Sequence, residues 1–380
     1  MSDPNTSLRI GHIHSCSNFI RRCGYLRDTY RQFFLKQCGS DAPFESLTAW
    51  FLYQFSANSP PRYPEYLVES IPTRDSSPLT RFLKYSLCRP ITLADAAYSL
   101  ECFLKSAWNE SLRNCLGEYE CLENGLLSCS TSSRQWLKES FYLSDRLLLS
   151  LSQKYRGTSF EVDVYLLFKY YDAVFGFKRG EGRGWHLSIP ASFHSLLEAE
   201  FGVCCEVFAS PVNSQSPYYF SLFEEVDAAF SSLGNFFNPR HTGSLDSFRA
   251  LFGCPAFLAI EANPPFEPLL MIRMLAVLEN LLTEAVQCQY RLLFALVLPD
   301  WSVCDAVEKA KVSSFTRHTI SLPKGTHEYS NGWPYHSPVI GRRPVWNDSD
   351  SVVVFMSSES MDISDELATR IRLSWASIHQ

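Results

Sequence analysis

No run in this chain approaches the roughly 18–20 consecutive apolar residues that span a bilayer, and Met1–Ile20 lacks the apolar centre of a secretory leader. A membrane partner is therefore not expected. No Cys-x-x-Cys pair occurs among the 13 cysteines, whose odd number and irregular spacing make a poor disulfide framework. Cys102, Cys204 and Cys288 fall in apolar patterns, where cysteine acts as a small hydrophobe, and a reducing compartment follows. His12 and His14 near Cys16 and Cys23 match no usual zinc spacing, so no metal is expected. Internal repeats and low-complexity tracts are missing, which excludes repeat architectures. An excess of positive charge is missing too: the net charge of −6 argues against a general polyanion binder.

What is present is a globular composition, 46% hydrophobic and 19% charged, and 380 residues suffice for two domains. Charge is uneven along the chain. Up to Gly157 there are 18 Lys and Arg against 15 Asp and Glu; beyond it, 16 against 25. The first half is thus mildly basic, a hint of phosphate contacts.

Helical patterns fill that first half. Tyr25–Cys38 runs to a stop at Gly39, and Phe44–Phe55 is followed by a proline-rich break at Ser59–Pro64. Another helix opens at Thr92, with Asp95 three residues on. Ser133–Tyr155 reads as one long helix with Leu137, Phe141, Leu148 and Leu151 on a stripe and Ser144 as the polar exception. Arg21, Arg22, Arg27, Arg31, Lys36, Arg81, Lys84 and Arg89 lie beside Tyr25, Tyr30, Phe82 and Tyr85. A nucleic-acid surface and ordinary solvated helix faces both fit them.

The second half alternates strands and helices. A helix Val162–Phe175 precedes the loop Lys178–Gly184, which either closes over phosphates or forms a disordered tip. Ser188-Ile189-Pro190 opens a helix to about Glu200, and Val203–Ala209 is a buried strand ending in Ser210-Pro211-Val212-Asn213. In an open α/β sheet a cofactor lies at the carboxyl end of such a strand, although no glycine-rich loop follows this one. A helix over Glu267–Gln287, strands at Leu292–Leu298, Thr316–Leu322 and Ser351–Met356, and a short helix Cys304–Ser313 complete the pattern. A mostly parallel sheet is expected, its closing pair a hairpin with an antiparallel edge.

The most informative stretch is Phe257–Phe266, a short strand, Phe257–Ile260, that stops in Glu261-Ala262-Asn263-Pro264-Pro265-Phe266. Asn-Pro alone is a common turn. Between a buried strand and a helix it also suits methylation of an exocyclic amine. The N6 of adenine is a poor nucleophile, so a site must accept its protons. An asparagine oxygen and a proline carbonyl are neutral acceptors, the prolines hold them rigidly, and the aromatic stacks on the base.

Several blocks in order strengthen this reading: Phe201-Gly202-Val203, Phe208–Asn213, Phe230–Phe237, Glu261–Phe266, Leu298–Trp301, Phe315–His318 and His327–Tyr329. Together they resemble the phosphorylated C-terminal-domain-interacting factor family of cap-specific adenosine N6-methyltransferases. The resemblance covers roughly Ser159–Met356 and implies an α/β, Rossmann-like class I methyltransferase sheet over 159–380, preceded by an all-helical domain over 1–158. It implies an S-adenosyl-L-methionine-dependent RNA adenine-N6 methyltransferase, acting on the 2′-O-methylated adenosine beside the 7-methylguanosine cap of mRNA. Alternatives are adenine-N6 methylation of other RNA or of DNA, and an inactive RNA-binding scaffold.

By the same resemblance Asn263, Pro264, Pro265 and Phe266 are catalytic, and Ser210, Pro211, Asn213 and Glu261 bind the cofactor. Arg317, His318, His327, Glu328 and Tyr329 line the RNA or cap side. Animal members carry a WW module for phosphorylated polymerase tails. Here Trp50 and Trp108 lie in helical runs and no such module is expected, which puts tail binding in doubt. The family suggests the nucleus; without the module, the cytoplasm is the alternative.

Overall fold

The computed structural model describes residues 4–38, 47–48, 51–52, 141, 143–176, 183–301, 304–331, 345–346 and 349–375. The proline-rich break, the helix expected from Thr92, and most of the loops Lys178–Gly184 and Gly332–Asn347 lie outside them. So do Arg81, Lys84 and Arg89. Chain contacts define two units, Met1–Leu143 with Gly157–Arg183, and Ser144–Arg156 with Gly184–Gln380. The division expected after residue 158 falls between these segments, with Gly157–Arg183 grouping with the N-terminal part.

In the first unit, α1 (Pro4–Cys38) is one continuous helix rather than the shorter Tyr25–Cys38. Its buried stripe, Cys16, Phe19, Cys23, Leu26 and Tyr30, advances by threes and fours. Two of those five positions are cysteine, which masks the periodicity. Phe19 stacks on Tyr170 of α3 (Phe160–Phe175) at 4.2 Å. Of the expected helix Phe44–Phe55, Leu47, Thr48, Phe51 and Leu52 are described, helical and buried. The described elements here are helical; most of residues 39–140 fall outside the description.

Arg21, Arg22 and Arg27 are 3%, 4% and 2% exposed, which removes them from any nucleic-acid surface. Arg27 Nε donates to the Ala173 carbonyl at 2.8 Å and its Nη2 to that of Val174. These carbonyls belong to the last turn of α3, where no helical N–H remains to pair with them. A cation also suits that end of the helix dipole.

The second unit holds a six-stranded sheet. In chain order its elements are α2 (Asp145–Lys154), β1 (Leu187–Ser188), α4 (Ala191–Phe201), β2 (Val203–Ala209), β3 (Tyr218–Ser221), β4 (Phe257–Ala262) and α5 (Pro268–Gln287). There follow β5 (Arg291–Pro299), α6 (Asp305–Val312), β6 (Thr316–Leu322), β7 (Glu328–Asn331), β8 (Val345–Trp346), β9 (Ser351–Ser357) and α7 (Asp365–Trp375). The order across the sheet is β3-β2-β4-β5-β9-β6. Neighbours from β3 to β5 are parallel, and β9 runs antiparallel to both β5 and β6. The antiparallel strand is therefore interior, not the expected edge. Its fit there explains why all seven residues of β9 are buried. This is a mixed α/β, Rossmann-like sheet.

One face carries Phe193 and Leu197 of α4 with Ile371 and Trp375 of α7. On the other lies α5, whose Leu270, Met271, Met274, Leu275, Leu278, Leu281 and Leu282 are all buried. Each such side chain contributes roughly 1.5–3 kcal/mol by leaving water. The single helix expected over Ser133–Tyr155 is interrupted: Leu143 and Ser144 are not helical. Ser144 caps α2, its hydroxyl accepting from Leu147 N at 3.2 Å, which accounts for the polar exception on the stripe. A separate small sheet, β1-β7-β8, sits beside the main one, with Leu187 opposite Asn331 and Ser188 opposite Ser330.

Candidate active site

Parallel strands direct their carboxyl ends to one edge, so the loops after Ala209, Ala262, Pro299 and Leu322 gather there. Two of these loops carry the expected site residues.

The first is Asn263–Phe266. Two consecutive prolines lack N–H groups and end β4, and Pro268 with the Glu267 cap starts α5. Glu267 accepts from Leu270 N at 2.7 Å, and its own N–H donates to the Pro265 carbonyl at 2.7 Å. The Pro264 carbonyl receives no bond among the described residues. Asn263 Nδ2 donates to the Leu187 carbonyl at 3.0 Å. That bond directs Oδ1 the other way, where it is buried and has no partner among the described residues. Two acceptors in consecutive residues are thus left without a donor among the described residues. The ring of Phe266 meets Trp301 and Tyr329 edge-on, at 6.0 Å each and at 82° and 80°.

The second loop follows β2. Asn213 Oδ1 accepts from Ser210 N at 2.7 Å and from Ser210 Oγ at 2.8 Å. Lys154 Nζ donates to the carbonyls of Pro211 and Ser214, each at 3.0 Å. Glu206 Oε1 accepts from the N–H groups of Gln215 and Ser216, both at 2.5 Å. Side-chain and backbone bonds therefore shape this loop in place of glycines.

Glu206 lies in register with Glu261 on the neighbouring strand, and both are buried. Burial raises Glu206, opposed by the Ser216 and Gln215 N–H groups and by Lys154. Burial first, and the charge of Glu206 second, push Glu261 well above the ordinary carboxylate range. Glu261 has no comparable donors, and its Oε1 is without a partner among the described residues. Of the pair, Glu261 is the one pushed further up. A glutamate inside the apolar run Val203–Ala209 is the sequence sign of this pair that went unread.

The remaining expected residues separate. His327 and Tyr329 are 0% and 1% exposed, with His327 Nε2 and the Tyr329 hydroxyl on Ser351 and His327 Nδ1 on the Pro323 carbonyl. Glu328 is buried beside them in sequence, both its oxygens without a partner among the described residues. Arg317 and His318 lie near the start of β6, the outer strand of the sheet. Arg317 donates to the Glu359 and Ser314 carbonyls there. These two residues are not brought together with Asn263: two strands, β5 and β9, stand between β4 and β6. The Leu187 carbonyl and Ser351 were not expected at all, since neither carries a recognisable motif.

Fold and site together define a Rossmann-like α/β protein with an Asn-Pro-Pro-Phe acceptor loop at the carboxyl edge of its sheet. A family model described as "Phosphorylated CTD interacting factor 1 WW domain" matches residues 141–332, half of the chain, and the chain belongs to this family. Two relatives, from Mus musculus and Homo sapiens, are each named mRNA (2'-O-methyladenosine-N(6)-)-methyltransferase. Each is 34% identical over 171 residues, 44% of this chain. The match spans 22% of each relative's own length. The expected lack of the family's WW module is corrected by the family match, whose description carries the WW domain. The doubt about polymerase-tail binding rested on that lack and falls with it.

Proposed function

We propose that this chain is an S-adenosylmethionine-dependent methyltransferase that places a methyl group on N6 of the adenosine beside the cap of mRNA. The observation that carries this reading is the Asn263 side chain, anchored by its nitrogen to Leu187 with its oxygen buried and unpartnered among the described residues. A buried acceptor left unpaired costs roughly 1–3 kcal/mol, a cost that an incoming amino group removes. The relatives' names support the choice of substrate.

Asn263 Oδ1 and the Pro264 carbonyl would accept the two amino protons, drawing the nitrogen lone pair out of the ring. Phe266 would stack on the base and hold N6 in line. Positioning of this kind is worth roughly 10⁵–10⁸ M of effective molarity, so no strong base is needed. When bound, the donor supplies an electrophilic methyl on a sulfonium. Ser210, Pro211, Asn213 and Glu261, whose Oε1 has no partner among the described residues, would hold the donor at the carboxyl edge of the sheet. N6 gains the methyl and loses one proton to solvent.

The test is methyl transfer to capped RNAs that differ only in their first nucleotide, read by nucleoside analysis. Label in N6-methyladenosine from the adenosine-initiated RNA alone is expected. Equal rates on uncapped RNA discard cap dependence, and no transfer to any adenosine discards the activity.

A further inference from the structure

Behind Phe266 lies a buried hydrogen-bond chain whose direction can be read from its end. His327 Nδ1 is 3.0 Å from the Pro323 carbonyl, which only accepts, so Nδ1 carries the proton and Nε2 does not. Ser351 Oγ, 2.9 Å from Nε2, therefore donates to it. The Tyr329 hydroxyl, 3.0 Å from Ser351 Oγ, donates in turn. His327, Ser351 and Tyr329 are at most 1% exposed. With each donor committed, the hydroxyl end of the Tyr329 ring is held in place.

That ring is one of the two walls on Phe266, which it meets at 80°. Its other side is closed by Trp375 at 5.2 Å, and His327 packs edge-on against both Tyr329 and Trp375. Burial keeps the imidazole below its ordinary pKa and the phenol above its own, which favours the neutral forms the chain requires. Tyr329 belongs to β7, the strand that also pairs with β1 and so supports the Leu187 carbonyl under Asn263. One short strand thus stands behind both the acceptor and the stacking ring.

We propose that the Tyr329–Ser351–His327 chain is a positioning device that sets the orientation of the Phe266 ring and, through it, the seat of the target base. The proposal rests on the reading of Phe266 as the platform on which that base stacks. None of the three residues touches substrate. They act through Phe266.

The experiment uses the full chain with Tyr329→Phe, Ser351→Ala and the double variant. In ring-labelled phenylalanine NMR without substrate, the Phe266 signal, assigned by Phe266→Leu, should shift and its ring flip faster in each variant. KM for capped adenosine-initiated RNA should rise roughly 5- to 10-fold, by more than kcat falls, because part of one stacking interaction is lost. S-adenosylmethionine affinity by calorimetry should stay within about twofold. The double variant should match the single ones, since one chain breaks only once.

An unmoved Phe266 signal, or additive effects in the double variant, overturns the proposal. Should Ser351→Ala fail to fold, Tyr329→Phe, which removes one oxygen and keeps the ring, decides it alone. RNA left unmethylated by the unaltered chain overturns the functional reading instead, while the ring signal still tests the positioning.

Discussion

Asn263 and Leu187, 76 positions apart in sequence, meet in one hydrogen bond of 3.0 Å from the asparagine amide nitrogen to the leucine carbonyl oxygen. That bond settles which end of the amide is offered to a ligand. A carbonyl cannot accept from an oxygen, so Oδ1 is turned away from Leu187. The orientation of the Asn263 amide is therefore specified by a backbone atom of β1, outside the motif.

Asn263→Ala removes this acceptor and leaves the loop backbone, whose prolines keep its shape. Turnover should fall by roughly 10²-fold or more, the usual cost of losing one positioned polar group. Donor affinity measured by calorimetry should be unchanged. Steady-state methyl transfer at the unaltered rate would remove Asn263 from the mechanism.

Phe266→Ala takes away the stacking face while Trp301 and Tyr329 lose an edge-on neighbour. Binding of adenosine-initiated RNA should weaken by roughly 1–3 kcal/mol, read by fluorescence anisotropy. An unchanged dissociation constant would place the base elsewhere.

Glu261 makes stability depend on pH in a fixed sense. Its pKa is raised in the folded chain by burial first and by Glu206 second, so the folded state holds this proton where the unfolded state has lost it. The stabilisation is complete below the ordinary glutamate value of about 4.3 and is lost as pH rises toward the folded value. Glu261→Gln keeps the shape without the charge. Its unfolding midpoint should exceed that of the unaltered chain at pH 8 and approach it near pH 5. Parallel curves across that range would show that Glu261 titrates normally.

Arg27 is tied to the end of α3. Arg27→Met should leave the Ala173 and Val174 carbonyls buried without their donor and destabilise the first unit by roughly 1–3 kcal/mol, measured by chemical denaturation. The salt dependence of RNA binding should not change, since a guanidinium that is 2% exposed releases no counterions. A shallower salt slope in the variant would restore the nucleic-acid reading of this residue.

Arg317 gives a matching control on the outer strand β6. Arg317→Ala breaks bonds to the Glu359 and Ser314 carbonyls only. RNA affinity and turnover should stay within about twofold. A larger loss in either would mean that RNA reaches β6.

Local pattern was enough to place β2, β4, β5, β6 and β9 and the helices α5 and α6, because each has a clear apolar period bounded by turn residues. It also marked Asn263–Phe266, since a proline pair between a buried strand and a helix has few other uses. The same signal failed for α1, where cysteines stand in the apolar stripe, and for Ser144, whose polarity marks a helix cap. Charge was misread in α1 because arginine looks alike in a sequence whether it faces phosphate or a buried helix end.

The chain order of strands and the chemistry of the acceptor loop were thus determined by the sequence itself, through periodicity of two and of about 3.6 and through backbone rules that act over a few residues. Tertiary structure alone decided the insertion of β9 between β5 and β6, the facing of Glu206 and Glu261, and the contacts of Asn263 with Leu187 and of Tyr329 with Ser351. These depend on strand register and on which edges meet, and pairings between residues far apart in the chain leave no periodic trace in either partner.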